Sequence, residues 1–294
     1  MTNTLQKNFI IGDKWLYYKI YTGIKTTEHI LLEMVKPVAE RLMEEKIIDK
    51  WFFIRYTDPK HHLRLRFHCT DTNNLNSVIT ALAPYLQKFT EQHYIWKIQN
   101  ETYEREIERY GKNSMDLSEK IFHHDSEMIL NILDLIDEGE EGDELRWLFS
   151  LRGIDAFLES FRFTIGEKEN FMDRLKTAFE KEYGSSKFLK RQLDTKYRNH
   201  REKIEAFMTQ SGEELNHAPL LALLNSKQEN IAATVQEIQI LRENNNLNIN
   251  IDDFLSSHIH MFMNRLFKSK NRTYELVCYF FLHKYYKSSL ARLK

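Results

Sequence analysis

Residues 51–69, WFFIRYTDPKHHLRLRFHC, decide the fold of this chain. Arg64 and Arg66 alternate with Leu63, Leu65 and Phe67, which is the two-residue period of a strand with one apolar face and one polar face. The β-prone run 51–56 precedes it, and Thr57-Asp58-Pro59-Lys60 between them has turn chemistry, so residues 51–56 and 63–69 are predicted to pair as a hairpin. Working outward, the aromatic run WLYYKIY at 15–21 predicts an earlier strand, and TTEHILLEMVKPVAERLMEE from Thr26 predicts a helix with Ile30, Leu31, Met34, Val38 and Leu42 on one stripe, bent at Pro37. A helix over about 74–90 and a strand at 94–98 complete the order βαββαβ. The expectation is an α+β fold: a ferredoxin-like antiparallel sheet unit over residues 1–105, followed by a helical subdomain over 106–294.

From Ser114 onward nearly every segment has helical periodicity, and several of Gly142, Gly153, Gly166, Gly184 and Gly212 sit at candidate helix ends. The Asn-rich run 242–253 reads as a loop closing in an Asp N-cap before a helix over 254–267.

Composition narrows the function. The 294 residues are 42% hydrophobic and 13% aromatic, enough for a sizeable core. Lys plus Arg (42) nearly balances Asp plus Glu (43), so the global basic excess that nucleic-acid binding requires is absent. The N-terminal residues do not read as a signal peptide, and no apolar run approaches the ~18 residues of a membrane span, so a cytoplasmic protein is expected. Cys69 and Cys278, without a CxxC pair, read as two buried thiols. Dinucleotide, Walker, serine-hydrolase and zincin motifs are absent.

Three constellations could carry chemistry. His62, Arg64, Arg66 and His68 share a strand face; this is either a solvated outer face or, because it is wholly cationic or imidazole, a site for an anion. In YEREIERYG at 103–111, Glu106 and Arg109 are spaced to meet on a helical turn, a pattern that is most often a surface salt bridge. In HIHMFMNRL at 258–266, the two histidines point about 200° apart on a helix and so do not share a metal, although a histidine there has the pKa for proton transfer. His29 and the pair His123-His124 have no supporting context in the sequence.

Taken in order, WLYYKIY, WFFIRYTDPKHHLRLRF, YEREIERYG and IHMFMNRLF make the chain resemble the C-terminal domain of class I lantibiotic dehydratases, a family also described as thiopeptide-type bacteriocin biosynthesis proteins. The resemblance extends from about Trp15 to the C-terminal helix. It implies one elimination-type domain that removes glutamate from glutamylated Ser or Thr of a precursor peptide, leaving dehydroalanine or dehydrobutyrine. The larger glutamylating part of such enzymes has no counterpart here, so a stand-alone protein is expected, partnered by a separate tRNA-dependent glutamylating protein, with a cyclase as a further candidate partner. No cofactor and no metal are implied. The resemblance carries Arg64 and Arg66 onto the strand arginines, Glu106 and Arg109 onto the YxREIxRYG element and His260 onto the HMxxNRL element, as the catalytic set. Two alternatives remain: a pyridine-synthase-type formal [4+2] cyclase acting on dehydroalanine-containing peptide, and a non-catalytic scaffold that binds precursor peptide.

Overall fold

The computed structural model describes residues 5–137, 139–184, 186–209 and 217–293. In chain order its elements begin with the short strand β1 (Asn8–Phe9), β2 (Trp15–Thr22), α1 (Thr26–Ile30), α2 (Lys36–Glu44), β3 (Lys50–Tyr56), β4 (His62–His68), α3 (Leu75–Glu91), β5 (Ile95–Asn100) and β6 (Tyr103–Glu104). Then follow α4 (Ile107–Tyr110), α5 (Met115–Leu135), α6 (Glu140–Ser160), α7 (Ile165–Glu182), α8 (Lys187–Thr209), α9 (Ala218–Glu243), α10 (Ile251–Leu266) and α11 (Asn271–Arg292). No helix among the described residues is long and apolar enough to cross a membrane.

The expected α+β class holds. Strands β2, β3, β4 and β5 form one sheet in the order β3-β4-β2-β5, and every pairing is antiparallel. Counting only these four, that is the second, third, first and fourth strand, the arrangement of a split βαβ unit. Its apolar side is built from Leu16, Ile20, Phe53, Leu63, Leu65 and Phe67, all at most 2% exposed. Where the sequence predicts a bend at Pro37, a π-helical turn, Leu31–Val35, separates α1 from α2: the missing proline N–H and the ring's bulk widen the preceding turn. The small β1–β6 ribbon is an addition to the expected scheme.

The division of the chain differs from the expected break at 105/106. One compact unit comprises residues 1–134 with 236–269, and the other 135–235 with 270–294. In the first unit the outer edge of β3 is the reason. Its backbone groups need partners, and α5 and α10 supply them: Asn264 accepts from Arg55 N (3.0 Å) and donates to Arg55 O (2.9 Å), Arg265 Nε donates to Phe53 O (2.9 Å), and Ser126 Oγ accepts from Phe53 N (3.3 Å). Helices distant in sequence are thereby bound into the sheet unit.

Helix α10 starts at Ile251 with Asn250, not an Asp, as its N-cap; Asn250 Oδ1 accepts from Asp252 N at 2.8 Å, and Asp252 and Asp253 instead occupy the first turn, where the helix dipole favours them. The loop is correspondingly shorter than 242–253. Gly184, at φ 77°, does follow the end of α7, whereas Gly142 and Gly153 lie inside α6, Gly166 lies in the first turn of α7 and Gly212 falls outside the described residues.

The second unit is helical. A capping box of Thr164 and Glu167 opens α7. Asp155 of α6 is held there by Lys168 Nζ and by the Tyr286 hydroxyl, each at 2.7 Å, so this buried carboxylate ties three helices.

One histidine in the first unit makes stability depend on pH. Thr27 Oγ1 donates to Gly23 O, so it accepts from His61 Nε2 at 2.8 Å, while Nδ1 of His61 is buried with no partner. Burial, with the charge of Arg55 next, lowers the His61 pKa to about 4. Its neutral form therefore stabilises the fold fully above the unfolded value of about 6.5, and that contribution is lost as pH falls from there towards 4. We expect the urea midpoint of the wild-type chain to fall between pH 7 and pH 4.5 by an amount worth about 1–2 kcal/mol more than in His61→Gln, which has no proton to take up. Equal drops in the two proteins would assign the acid sensitivity elsewhere.

Candidate active site

On the other side of the sheet, β4 presents Arg64 and Arg66. Register places Arg66 between Tyr17 of β2 and Phe52 of β3, and Arg64 between Lys19 and Ile54. Arg66 is only 6% exposed, which excludes a solvated outer face at this position. Its guanidinium carbon lies 4.2 Å from the Tyr17 ring centroid, 4.8 Å from Tyr103 and 5.1 Å from Phe52. Nε and Nη1 are buried and have no hydrogen-bond acceptor. Burial lowers the pKa of this arginine, while the phenol oxygens of Tyr17 and Tyr103 and the Glu106 carboxylate act in the opposite sense. The result is a desolvated cation walled by aromatic faces and without a bonded counter-ion.

Arg64 is held differently. Its guanidinium stacks 3.5 Å from the Tyr56 ring centroid, and Nε donates to His62 Nε2 at 3.2 Å. His62 Nδ1 lies 2.8 Å from the Lys60 carbonyl oxygen, so its proton sits on Nδ1 and Nε2 is free to accept from Arg64. Burial, first among several influences, lowers the His62 pKa, which keeps this acceptor neutral. Lys19, beside Arg64, pairs with Glu101 at 2.6 Å.

The segment after β6 brings the next residues in. Glu106 caps the single-turn helix α4, and Arg109 Nε meets Glu106 Oε2 at 3.2 Å, the contact that the i,i+3 spacing predicts. Both side chains are about half exposed, 45% and 55%, so the pair contributes little to stability and stays accessible. Gly111, at φ 78°, ends α4; a Cβ there would lie 2.7 Å from Ser114 Oγ, so the turn into α5 requires glycine.

What fixes this segment is a residue that sequence reasoning passed over. Arg105 is 4% exposed, and its Nε and Nη2 form a fork to Glu119 of α5 at 2.8 and 2.7 Å, with further bonds to Asp116 and to Gln6 O. The Tyr103 hydroxyl donates to the same Glu119 at 2.9 Å. One buried carboxylate thus orients both the ring that walls Arg66 and the chain that carries Glu106 and Arg109. Tyr110 is buried between Phe122 and His258, at 4.9 and 5.2 Å, and burial raises its pKa, with Glu106 adding to the effect.

Helix α10 supplies the histidines. His258 is 1% exposed and packs on Tyr110, Phe122 and Phe254, with Nε2 3.2 Å from Ser118 Oγ. It is a core residue. His260 is half-buried, about 200° further round the helix and on the stripe of Asn264, the residue that bonds to β3. Arg64, Arg66, Glu106 and Arg109 come from two segments whose charges act on one another: Arg66 is influenced by both Arg64 and Glu106. Cys69 and Cys278 are free and buried, and burial raises their thiols to about 11 and about 12, so neither is a ready nucleophile at neutral pH.

With this geometry in place, the comparisons with known proteins identify the class. Residues 15–286 match the family model described as lantibiotic biosynthesis dehydratase C-term, and the chain belongs to that family. It is 33% identical over 127 residues to the nisin biosynthesis protein NisB of Lactococcus lactis subsp. lactis, a match covering 43% of this chain and 12% of NisB. Its fold is similar to the tRNA dependent lantibiotic dehydratase MibB of Microbispora sp. 107891, with a TM-score of 0.75 at 20% identity over 97% of this chain and 29% of MibB. It is also similar to TbtD, the pyridine synthase from thiomuracin biosynthesis, with a TM-score of 0.67 at 13% identity over 96% of this chain and 100% of TbtD. The matched region is thus a small fraction of NisB and of MibB.

Proposed function

We propose that this chain is an eliminase of ribosomal peptide modification, a lyase that removes glutamate from glutamylated Ser or Thr of a precursor peptide to give dehydroalanine or dehydrobutyrine. It would act in the cytoplasm on peptide that a glutamylating activity has already loaded. The observation that carries the reading is Arg66: a buried guanidinium with Nε and Nη1 unsatisfied is a costly arrangement that an anionic substrate group relieves.

In the proposed reaction a base takes the α-proton of the glutamylated residue, the Cα–Cβ double bond forms, and the Cβ–O bond breaks with its electron pair leaving on glutamate. Negative charge develops first on the adjacent amide oxygen and then on the departing carboxylate. Arg64 and Arg66 would hold the glutamyl group and that charge. Arg109 would stabilise the charge or orient the ester, with Glu106 positioning it through their 3.2 Å contact. His260 would carry the proton transfer.

The test is mass spectrometry of a glutamylated Ser peptide incubated with the chain, expected to show loss of glutamic acid and a dehydroalanine product. His260→Ala should slow that loss by ~10² to 10⁴ while leaving the protein folded. Normal release by His260→Ala removes the histidine from the mechanism. An untouched glutamylated peptide, with conversion of a dehydroalanine-containing peptide instead, would replace the eliminase by the cyclase; binding of unmodified peptide without any turnover would replace it by a scaffold.

A further inference from the structure

His123, His124 and Glu127 lie on consecutive turns of α5, and one ligand atom from each falls within 4.8 Å of the others. His123 Nε2 is 3.4 Å and His124 Nδ1 is 3.1 Å from the same carboxylate oxygen, Glu127 Oε2. Ligand atoms held ~2.0–2.1 Å from a tetrahedral ion are about 3.3 Å apart, so both separations match one edge of such a polyhedron. We propose that these three side chains form a binding site for a divalent transition-metal ion of the zinc type, with at least one coordination position left for solvent.

The surroundings of His123 support this. Its Nδ1 lies 3.2 Å from the Trp51 carbonyl oxygen and 3.4 Å from the Trp51 amide nitrogen, whose N–H points at it, so one tautomer donates to the carbonyl and the other accepts from the amide. A metal ion on Nε2 selects the first of these, with the proton on Nδ1 and the bond to the carbonyl made. Nε2 then turns a lone pair towards Glu127 Oε2 at 3.4 Å, a separation at which one ion can meet both atoms. A histidine whose far nitrogen donates to a backbone carbonyl is also the usual outer support of a metal ligand, because that bond fixes the tautomer and the ring plane. The donor set decides the class of ion: two imidazole nitrogens and one carboxylate suit zinc, nickel or copper far better than calcium or magnesium, which take oxygen ligands.

Position gives the ion a consequence. His123 sits on the outer edge of β3, where it meets the backbone of Trp51, and the Asp49 carboxylate, just before that strand, adds negative charge nearby. A metal bound here would fix the His123 ring, and with it the bond to Trp51 of the strand that pairs with the arginine-bearing β4. The site shares no residue with the arginine cluster and does not depend on the proposed elimination.

Zinc chloride titrated into the chelator-stripped full chain is expected to bind with one high-affinity equivalent and to raise Tm by about 5 °C in excess ion. His124→Ala and Glu127→Gln, both at partly exposed positions and away from the β3 contacts, should weaken that equivalent more than ~10-fold and abolish the Tm rise, while their metal-free Tm stays near that of the wild type. Magnesium chloride should produce neither effect. Absence of a tight equivalent in the wild type overturns the site, as does zinc binding that survives in both variants, which would assign the ion to other histidines among the chain's 12.

Discussion

Arg66→Met is expected to give a protein at least as stable as the wild type in which the proposed glutamate elimination is slowed by roughly 10² to 10³. The two halves of this expectation share one cause. Removing a guanidinium from water costs several kcal/mol even after relaxation, whereas a cation over an aromatic ring returns ~0.5–2 kcal/mol per contact. Three rings, Tyr17, Phe52 and Tyr103, surround Arg66, and Nε and Nη1 find no acceptor, so the cost outweighs the return in the absence of an anion. An unbranched apolar side chain of similar length keeps the contacts with the rings and removes the penalty. What it also removes is the desolvated cation that would meet the glutamyl carboxylate or the developing negative charge. Arg66→Lys separates charge from shape, because it keeps the first and discards the planar fork; it should recover only part of the rate. Urea unfolding and the mass-spectrometric assay, run on the same preparations, check both halves. A Met variant that turns over at the wild-type rate would remove Arg66 from the reaction, and one destabilised by more than about 2 kcal/mol would show the cation to be structural.

The sheet was legible because alternation is a strong signal. Residues 51–69 announce a hairpin whose register then puts Arg64 and Arg66 on one face, as found, and the order βαββαβ leads to the observed β3-β4-β2-β5 arrangement. Strands β1 and β6, of two residues each, carry no period to read. The boundary between units was not legible because it depends on which helices satisfy the free edge of β3, and Asn264 and Arg265 reach that edge from more than 200 residues away in sequence. The candidate site divides in the same way. Spacing reveals that Glu106 meets Arg109 and that His258 and His260 diverge, since both follow from helix geometry. It cannot reveal that Arg66 is buried, that Arg105 forks onto Glu119, or which of the two histidines enters the core, because each outcome is set by partners distant in sequence: the Tyr17, Phe52 and Tyr103 rings for Arg66, and Glu119 and Ser118 of α5 for Arg105 and His258. YEREIERYG therefore holds one anchoring arginine, Arg105, and one accessible arginine, Arg109, with nothing local to tell them apart.

Arg265 lets that distinction be tested on the fold itself. It is fully buried; Nε donates to the carbonyl of Phe53 at 2.9 Å, Nη1 lies 3.6 Å from Asp125 of α5, and the guanidinium rests 5.1 Å from the Phe122 ring centroid. Burial lowers its pKa and Asp125 opposes the shift, so here, unlike at Arg66, a carboxylate stands against the cation. Arg265→Ala takes the donor from an edge carbonyl of β3, withdraws a countercharge from the buried Asp125 and opens a cavity beside Phe122. Breaking a buried pair on one side costs ~3–5 kcal/mol, and that loss is expected in urea unfolding. By contrast Arg109→Ala, whose side chain is 45% exposed, should change stability by no more than ~0.5 kcal/mol while slowing the proposed elimination. The double variant Arg265→Met with Asp125→Asn decides whether charge or packing dominates. If the loss comes mainly from the charge left on Asp125, the double variant recovers stability relative to Arg265→Met alone; if it comes from the β3 carbonyl and the packing, the two losses add. A cost below 1 kcal/mol for Arg265→Ala would mean that α10 does not hold the edge of the sheet through this side chain, leaving Asn264, with its two bonds to Arg55, as the clamp.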